Sequence, residues 1–111
     1  MHVSVKVKNL RKLGYANLRE WLQDDNNVYV GRGGRLFIDG KVFYYPGSIW
    51  ANPYRLSEYS LEESLRKYKA YLHRSPLLGR ISELQGKNLG CFCEQDSECH
   101  AKVLAELANK K

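Results

Sequence analysis

Ser60-Leu61-Glu62-Glu63 is a helix-capping box, and Leu61, Leu65, Tyr68 and Leu72 then recur at i, i+4, i+7 and i+11. The serine hydroxyl is placed to hold the N–H of Glu63, and the spacing predicts a helix from Leu61 to about Arg74 with one apolar stripe. Such a stripe must bury itself against another layer, and the rest of the chain offers strands for it. Val3, Val5 and Val7 alternate with Ser4, Lys6 and Lys8, the pattern of a strand with one buried face. Val28-Tyr29-Val30 is a second apolar run, stopped by Gly31-Arg32-Gly33-Gly34, and Leu89 to Cys93 is a third. With 111 residues there is room for one core and no more. The chain is therefore expected to be one domain over residues 1–111 of the α/β (or α+β) class, a single small sheet packed by three to four helices.

The intervening segments fit this plan. Asn17 to Leu22 has a short helical pattern with Leu18, Trp21 and Leu22 on one side, and Asp24-Asp25-Asn26-Asn27 ends it as a polar turn. Asp39-Gly40 between Arg35–Asp39 and Lys41–Tyr45 predicts a hairpin with a tight turn. Pro53 pushes Asn52 towards extended geometry in the Trp50-to-Tyr54 loop. Pro76 starts a second, shorter helix bearing Leu77, Leu78, Ile81 and Leu84, which Gly86 is placed to terminate, and Ala101 to Ala108 has helical spacing without a breaker.

A hydrophobic fraction of 43% with 27% charged residues excludes disordered and fibrous classes. The net charge of +6 favours anionic partners, and it is unevenly spread. Lys6, Lys8, Arg11, Lys12, Arg32 and Arg35 fall in the first third, whereas Glu94, Asp96 and Glu98 cluster near the end. Eight tyrosines and two tryptophans supply rings that serve either a core or base stacking. Met1 to Leu10 lacks the apolar stretch of an export signal and no run approaches membrane-spanning length, so a cytoplasmic location (host cytoplasm if viral) and no membrane partner are expected. Three cysteines in such a chain point to thiols or thiolate ligands and not to a disulfide framework.

Those cysteines all lie in Cys91-Phe92-Cys93-Glu94-Gln95-Asp96-Ser97-Glu98-Cys99-His100. Three readings stand for this segment. Cys91, Cys93, Cys99 and His100 have the ligand types for zinc, but their C-x-C-x5-C-H spacing is unusual and adjacent Cys99 and His100 diverge from a helix start, so no cofactor is the expectation and Zn²⁺ the alternative. Cys99 at the first turn of a helix, beside His100, suits a catalytic nucleophile and base. Cysteine is also a small apolar filler, the preferred role for Cys91, while Cys93 and Cys99 are expected at the rim of a site. His2 is uninformative at its terminal position, and His73 reads as a cation at a helix C-terminus.

The Gly31–Gly34 loop follows a strand, so its N–H groups can line an anion-binding concavity with Arg32 and Arg35, or simply turn the chain into the hairpin. Ligands in open α/β sheets bind beyond the carboxyl ends of strands. If Val28–Val30 and the cysteine strand are parallel neighbours, Arg32, Cys93, Cys99 and His100 converge on one crevice. Tyr44, Tyr45, Trp50 and Tyr54 flank the Asn52-Pro53 loop as a possible aromatic wall for a base.

Taken together, Val7-Lys8-Asn9-Leu10-Arg11 as a strand, Val28-Tyr29-Val30-Gly31-Arg32, Trp50-Ala51-Asn52-Pro53-Tyr54, the Tyr68 helix, Leu84-Gln85-Gly86-Lys87, Gly90-Cys91-Phe92-Cys93 and Cys99-His100 with Leu104 resemble a family of phages, large DNA viruses and bacteria known as domain of unknown function 4326. The resemblance covers most of the chain. It departs at Ala51, where the family usually has glycine, at Phe92, where it more often has tryptophan, in extra residues between Lys12 and Asn27, and in a full hairpin after Arg32. It implies a shared site without an established activity, with the family's Gly-Arg, Asn-Pro and Cys-His elements falling on Gly31, Arg32, Asn52, Pro53, Cys99 and His100.

The expected function is recognition of a phosphate-bearing ligand, a nucleotide or a nucleic-acid end, in a crevice formed by the Gly31–Gly34 loop, the Asn52-Pro53 loop and Cys99-His100. Arg11, Gly31, Arg32, Gly33, Asn52 and Cys93 are the expected ligand contacts, and Cys99 and His100 the catalytic candidates. The alternatives are a non-enzymatic nucleic-acid-binding protein using the basic N-terminal surface and a zinc-stabilised interaction module. The residues do not fix the oligomeric state.

Overall fold

The computed structural model of the protein describes residues 2–92 and 99–109. Three short strands, β1 (His2–Ser4), β2 (Asn27–Tyr29) and β5 (Asn88–Cys91), form a parallel sheet in the order β1-β5-β2. The last strand of the chain is thus the central one, paired with β1 through His2–Leu89, Val3–Gly90 and Ser4–Cys91, and with β2 through Asn27–Asn88, Val28–Leu89 and Tyr29–Gly90. Side chains alternate across a strand, so this register sorts residues onto two faces. His2, Ser4, Val28, Leu89 and Cys91 share one face; Val3, Tyr29 and Gly90 share the other.

Each face carries its own core. On the first, α3 (Leu61–Arg74), a 3₁₀ segment (Pro76–Leu84) and α4 (His100–Ala108) pack Tyr68, Leu72, Leu84, Ala101 and Leu104 against Val30, Leu89 and Cys91. On the second, α1 (Val7–Lys12) and α2 (Leu18–Trp21) bring Leu10, Leu18 and Trp21 onto Val3 and Val5. Gly90 is required where the two meet. A β-carbon there would stand 2.5 Å from Trp21 Cη2 and 2.6 Å from Val5 Cγ1, so only glycine leaves room for the indole against the central strand.

The hairpin forms as its turn chemistry dictates. Asp39 (φ 54°) and Gly40 (φ 77°) both take left-handed backbone between β3 (Gly34–Ile38) and β4 (Lys41–Tyr45), the two-residue turn that matches strand twist. Among the described residues these strands pair only with each other, as a second, antiparallel sheet. The expectation of one sheet is therefore corrected: Gly31, Arg32 and Gly33 carry the chain away from β2 before β3 begins, and the hairpin packs its inward Leu36, Phe43 and Tyr45 onto the second core instead of extending the first sheet. Mixed helices and two small sheets make this an α+β fold.

Two further expectations change. Val7 to Arg11 is not a strand but most of α1. Val3 and Val5 are buried, yet Val7 is 48% exposed and Leu10, three residues on, is fully buried, so the chain meets the core with a helical period from this point. Asn9 Nδ2 donates to Ser4 Oγ (2.9 Å) and ties the helix back to β1. In α3 the cap holds, with Glu63 N–H donating to Ser60 Oγ, but the stripe that buries is Ser64, Tyr68 and Leu72 while Leu61 stays exposed. No helix among the described residues is long and apolar enough to cross a membrane.

Candidate functional site

A cleft of about 470 Å3 opens at the carboxyl ends of β2 and β5, lined by the Gly31–Gly33 loop, the Asn52 loop, the start of α3 and the start of α4. Its position follows from the parallel order: β2 and β5 are neighbours, so the loops leaving them emerge side by side. Val30 N–H donates to the Gly90 carbonyl (2.9 Å) and prolongs the pairing up to the mouth of the cleft.

Gly31 allows the chain to turn beneath Tyr29, whose hydroxyl would lie 2.5 Å from an added β-carbon. That hydroxyl donates to the Arg32 carbonyl (2.5 Å), and the Arg32 guanidinium donates to the Asn52 carbonyl (2.5 Å). The Asn52 side chain fixes the far loop: its Oδ1 accepts from Tyr54 N–H (2.9 Å) and its Nδ2 donates to Ser64 Oγ (2.9 Å). The Ser64 hydroxyl in turn donates to the Tyr54 carbonyl (2.6 Å). Ser64 breaks the apolar stripe of α3 because this network needs a small hydroxyl inside it. Tyr68 holds the same loop from beneath, donating to the Trp50 carbonyl (2.6 Å).

Rings line much of the cleft. Tyr29 meets Tyr45 and Phe92 edge-on while Tyr45 and Phe92 lie tilted to each other, with centroids 5.4–6.0 Å apart, and Tyr54 adds a fourth ring. Burial pushes the Tyr45 phenol above its ordinary pKa, which keeps it neutral. Among the described residues lining the cleft, Arg32 is the single arginine or lysine, and none is Asp or Glu.

The floor is chemically distinct. Cys99 caps α4 in extended backbone and is 2% exposed. Its sulfur lies 2.7 Å from Cys91 Sγ, and Cys91 Sγ lies 3.3 Å from His2 Nε2. His100 Nε2 is 2.7 Å from the Val30 carbonyl; a carbonyl only accepts, so Nε2 carries the proton of that hydrogen bond, and Nδ1 lies 3.6 Å from Cys99 Sγ. The Tyr68 ring meets His100 edge-on at 5.4 Å.

The structure brings Gly31, Arg32, Gly33, Asn52, Cys91, Cys99 and His100 to one cleft. Arg11 is on α1 with its side chain exposed and does not line it, and Cys93 lies outside the described residues. Cys99 is not on a rim but buried beside Cys91, because the α4 start docks under β5. Of the four expected wall rings, Tyr45 and Tyr54 line the cleft; Trp50 is core and Tyr44 faces solvent. His2 escaped the sequence reading. Its signal was strand parity: in an alternating strand His2 shares a face with Ser4, opposite the valines, and that face is buried too once β1 lies in a sheet packed on both sides.

A protein described as "Uncharacterized protein R718", from Acanthamoeba polyphaga mimivirus, is 34% identical over 89 residues, covering 73% of this chain and 65% of the relative. The chain thus spans just under two thirds of that relative's length. No solved structure matches the chain. The family model described as domain of unknown function (DUF4326) matches residues 15–110, from the turn before α2 to the end of α4, and the chain belongs to that family.

Proposed function

We propose that the cleft binds a nucleotide, with its phosphate at Arg32 and the Gly31–Gly33 backbone and its base among the tyrosine and phenylalanine rings. The observation that carries this reading is the position of Arg32, a permanent cation beyond the carboxyl end of β2 in a cleft whose described lining includes no carboxylate. An anion entering there meets a charge-assisted donor and no repulsion from those residues. The cleft volume of about 470 Å3 suits a small organic ligand, and rings with one or two convergent polar groups are the composition such sites use. Asn52 and Ser64 hold the opposing loop in place before any ligand arrives, which lowers the ordering cost of binding.

The test is thermal denaturation of the protein across a panel of ribo- and deoxyribonucleoside mono-, di- and triphosphates, alongside Arg32→Ala. Stabilisation by at least one phosphorylated member, absent from the matching nucleoside and lost in the variant, is the expected result. A flat response to the whole panel would sink the reading.

A second reading, a nucleic-acid-binding surface, is favoured by one observation: Lys8, Arg11 and Lys12 are all exposed on α1, away from the cleft. Affinity for DNA that falls steeply with salt and drops on neutralising these three would support it; affinity unchanged by the substitutions would remove it.

A further inference from the structure

We infer that His2, Cys91 and Cys99 form a zinc site at the floor of the cleft. The three come from separate places in the chain, the start of β1, the end of β5 and the N-cap of α4, and their ligand atoms all lie within 4.8 Å of one another. All three are buried, with exposures of 6%, 2% and 2%. Two thiols and an imidazole are ligands for a borderline-soft cation, and three protein ligands with a fourth position left to water or substrate is the pattern of reactive zinc sites.

The distances lie close to those that a tetrahedral zinc ion sets, and fall short of them. With Zn–S near 2.3 Å and Zn–N near 2.0–2.1 Å, tetrahedral edges are about 3.8 Å between sulfurs and about 3.6 Å between sulfur and nitrogen. Cys91 Sγ to His2 Nε2 at 3.3 Å is short of this by a few tenths of an ångström. The two sulfurs, at 2.7 Å, must part by about 1 Å, a movement within reach of the Cys99 side chain at a helix start. Coordination replaces two S–H protons, released to solvent, with two metal–sulfur bonds.

This set differs from the one that ligand spacing suggests. His100, held through Nε2 against the Val30 carbonyl, is outside the set whose ligand atoms all lie within 4.8 Å of one another; His2, eighty-nine residues before Cys91, takes the imidazole position because β1 lies beside β5. Pure packing explains Cys91 and Cys99 but not an imidazole turned onto the Cys91 sulfur. Because Cys91 and Cys99 also line the cleft, an ion held here adjoins whatever the cleft binds. The inference does not rest on the nucleotide reading, and its test uses no nucleotide.

Tag-free protein, stripped with chelator and kept reduced, is titrated with Co²⁺. One equivalent is expected to bind with near-ultraviolet thiolate-to-cobalt charge transfer of two-thiolate intensity and the visible bands of a tetrahedral ion, both erased by one equivalent of Zn²⁺. His2→Ala and Cys99→Ser are each expected to weaken cobalt binding at least tenfold. Folded wild-type protein that takes up cobalt without a charge-transfer band, or takes up none, overturns the site, as does unchanged binding by folded His2→Ala. Should a variant fail to fold, the wild-type band intensity decides alone. A Cys91–Cys99 disulfide whose reduction yields no cobalt binding also overturns it.

Discussion

The Arg32 guanidinium donates to the Asn52 carbonyl, closing a gap of twenty residues between the glycine loop and the Asn-Pro loop. One cation thereby joins the two walls of the cleft while keeping further N–H donors for a ligand.

Arg32→Ala should leave the fold intact, because the side chain is exposed and its single hydrogen bond contributes about 0.5–1.5 kcal/mol. Its effect is expected on nucleotide binding, where loss of a hydrogen bond to a charged group costs about 1.5–3 kcal/mol, a weakening of roughly ten- to a hundredfold. Isothermal titration of the best-stabilising nucleotide into both proteins, with urea denaturation of each, separates the two quantities.

Asn52→Ala removes the acceptor for Tyr54 N–H and the donor to Ser64 at once. Leaving such part-buried groups unsatisfied should cost about 1–3 kcal/mol, read as a lower urea midpoint at unchanged slope. Ser64→Ala breaks the same network from the other side, so the double variant should lose less than the sum of the singles.

Gly90→Ala places a methyl group against Trp21 and Val5 in a core with no room for it. Overpacking of this kind costs about 1–3 kcal/mol, and a thermal melt should fall by several degrees. If Trp21→Leu restores the melting temperature of Gly90→Ala, the clash with the indole is the cause.

Tyr68 gives the protein an alkaline limit. Burial first, and then the neighbouring Tyr71 and Cys99, push its phenol far above the ordinary value near 10, so the folded protein keeps the proton that the unfolded chain releases. The raised folded pKa means that the full stabilisation is present below pH 10 and is lost as pH rises beyond it, by up to about 1.4 kcal/mol per pH unit. Urea midpoints measured from pH 8 to pH 11 should fall more steeply for wild type than for Tyr68→Phe, which cannot ionise.

Local chemistry alone was enough for several elements. The Ser60 cap, the Asp39-Gly40 turn, the Asn17-capped helix and the positive φ of Gly86 each depend on residues a few positions apart, whose preferences tertiary contacts did not override. The Leu61 and Val7 positions failed for the converse reason. Both are apolar and in phase with their patterns, yet which phase buries is decided by the partner surface, and Ser64 and Leu10 occupy those places.

The sequence by itself determined that the chain mixes helices and strands and belongs with the DUF4326 family, with a glycine loop after one strand and a cysteine segment that begins in another. Only the tertiary structure decided the strand order β1-β5-β2, and with it everything that needs residues far apart to meet. His2 reaches Cys91 because a parallel sheet places β1 and β5 side by side, and Arg32 reaches Asn52 because the β3–β4 hairpin between them returns the chain to the cleft. Parallel pairing is made by backbone hydrogen bonds common to every residue, so no local pattern names the partner. The two-sided packing of the sheet decides it, and that packing made His2 a buried neighbour of two thiols.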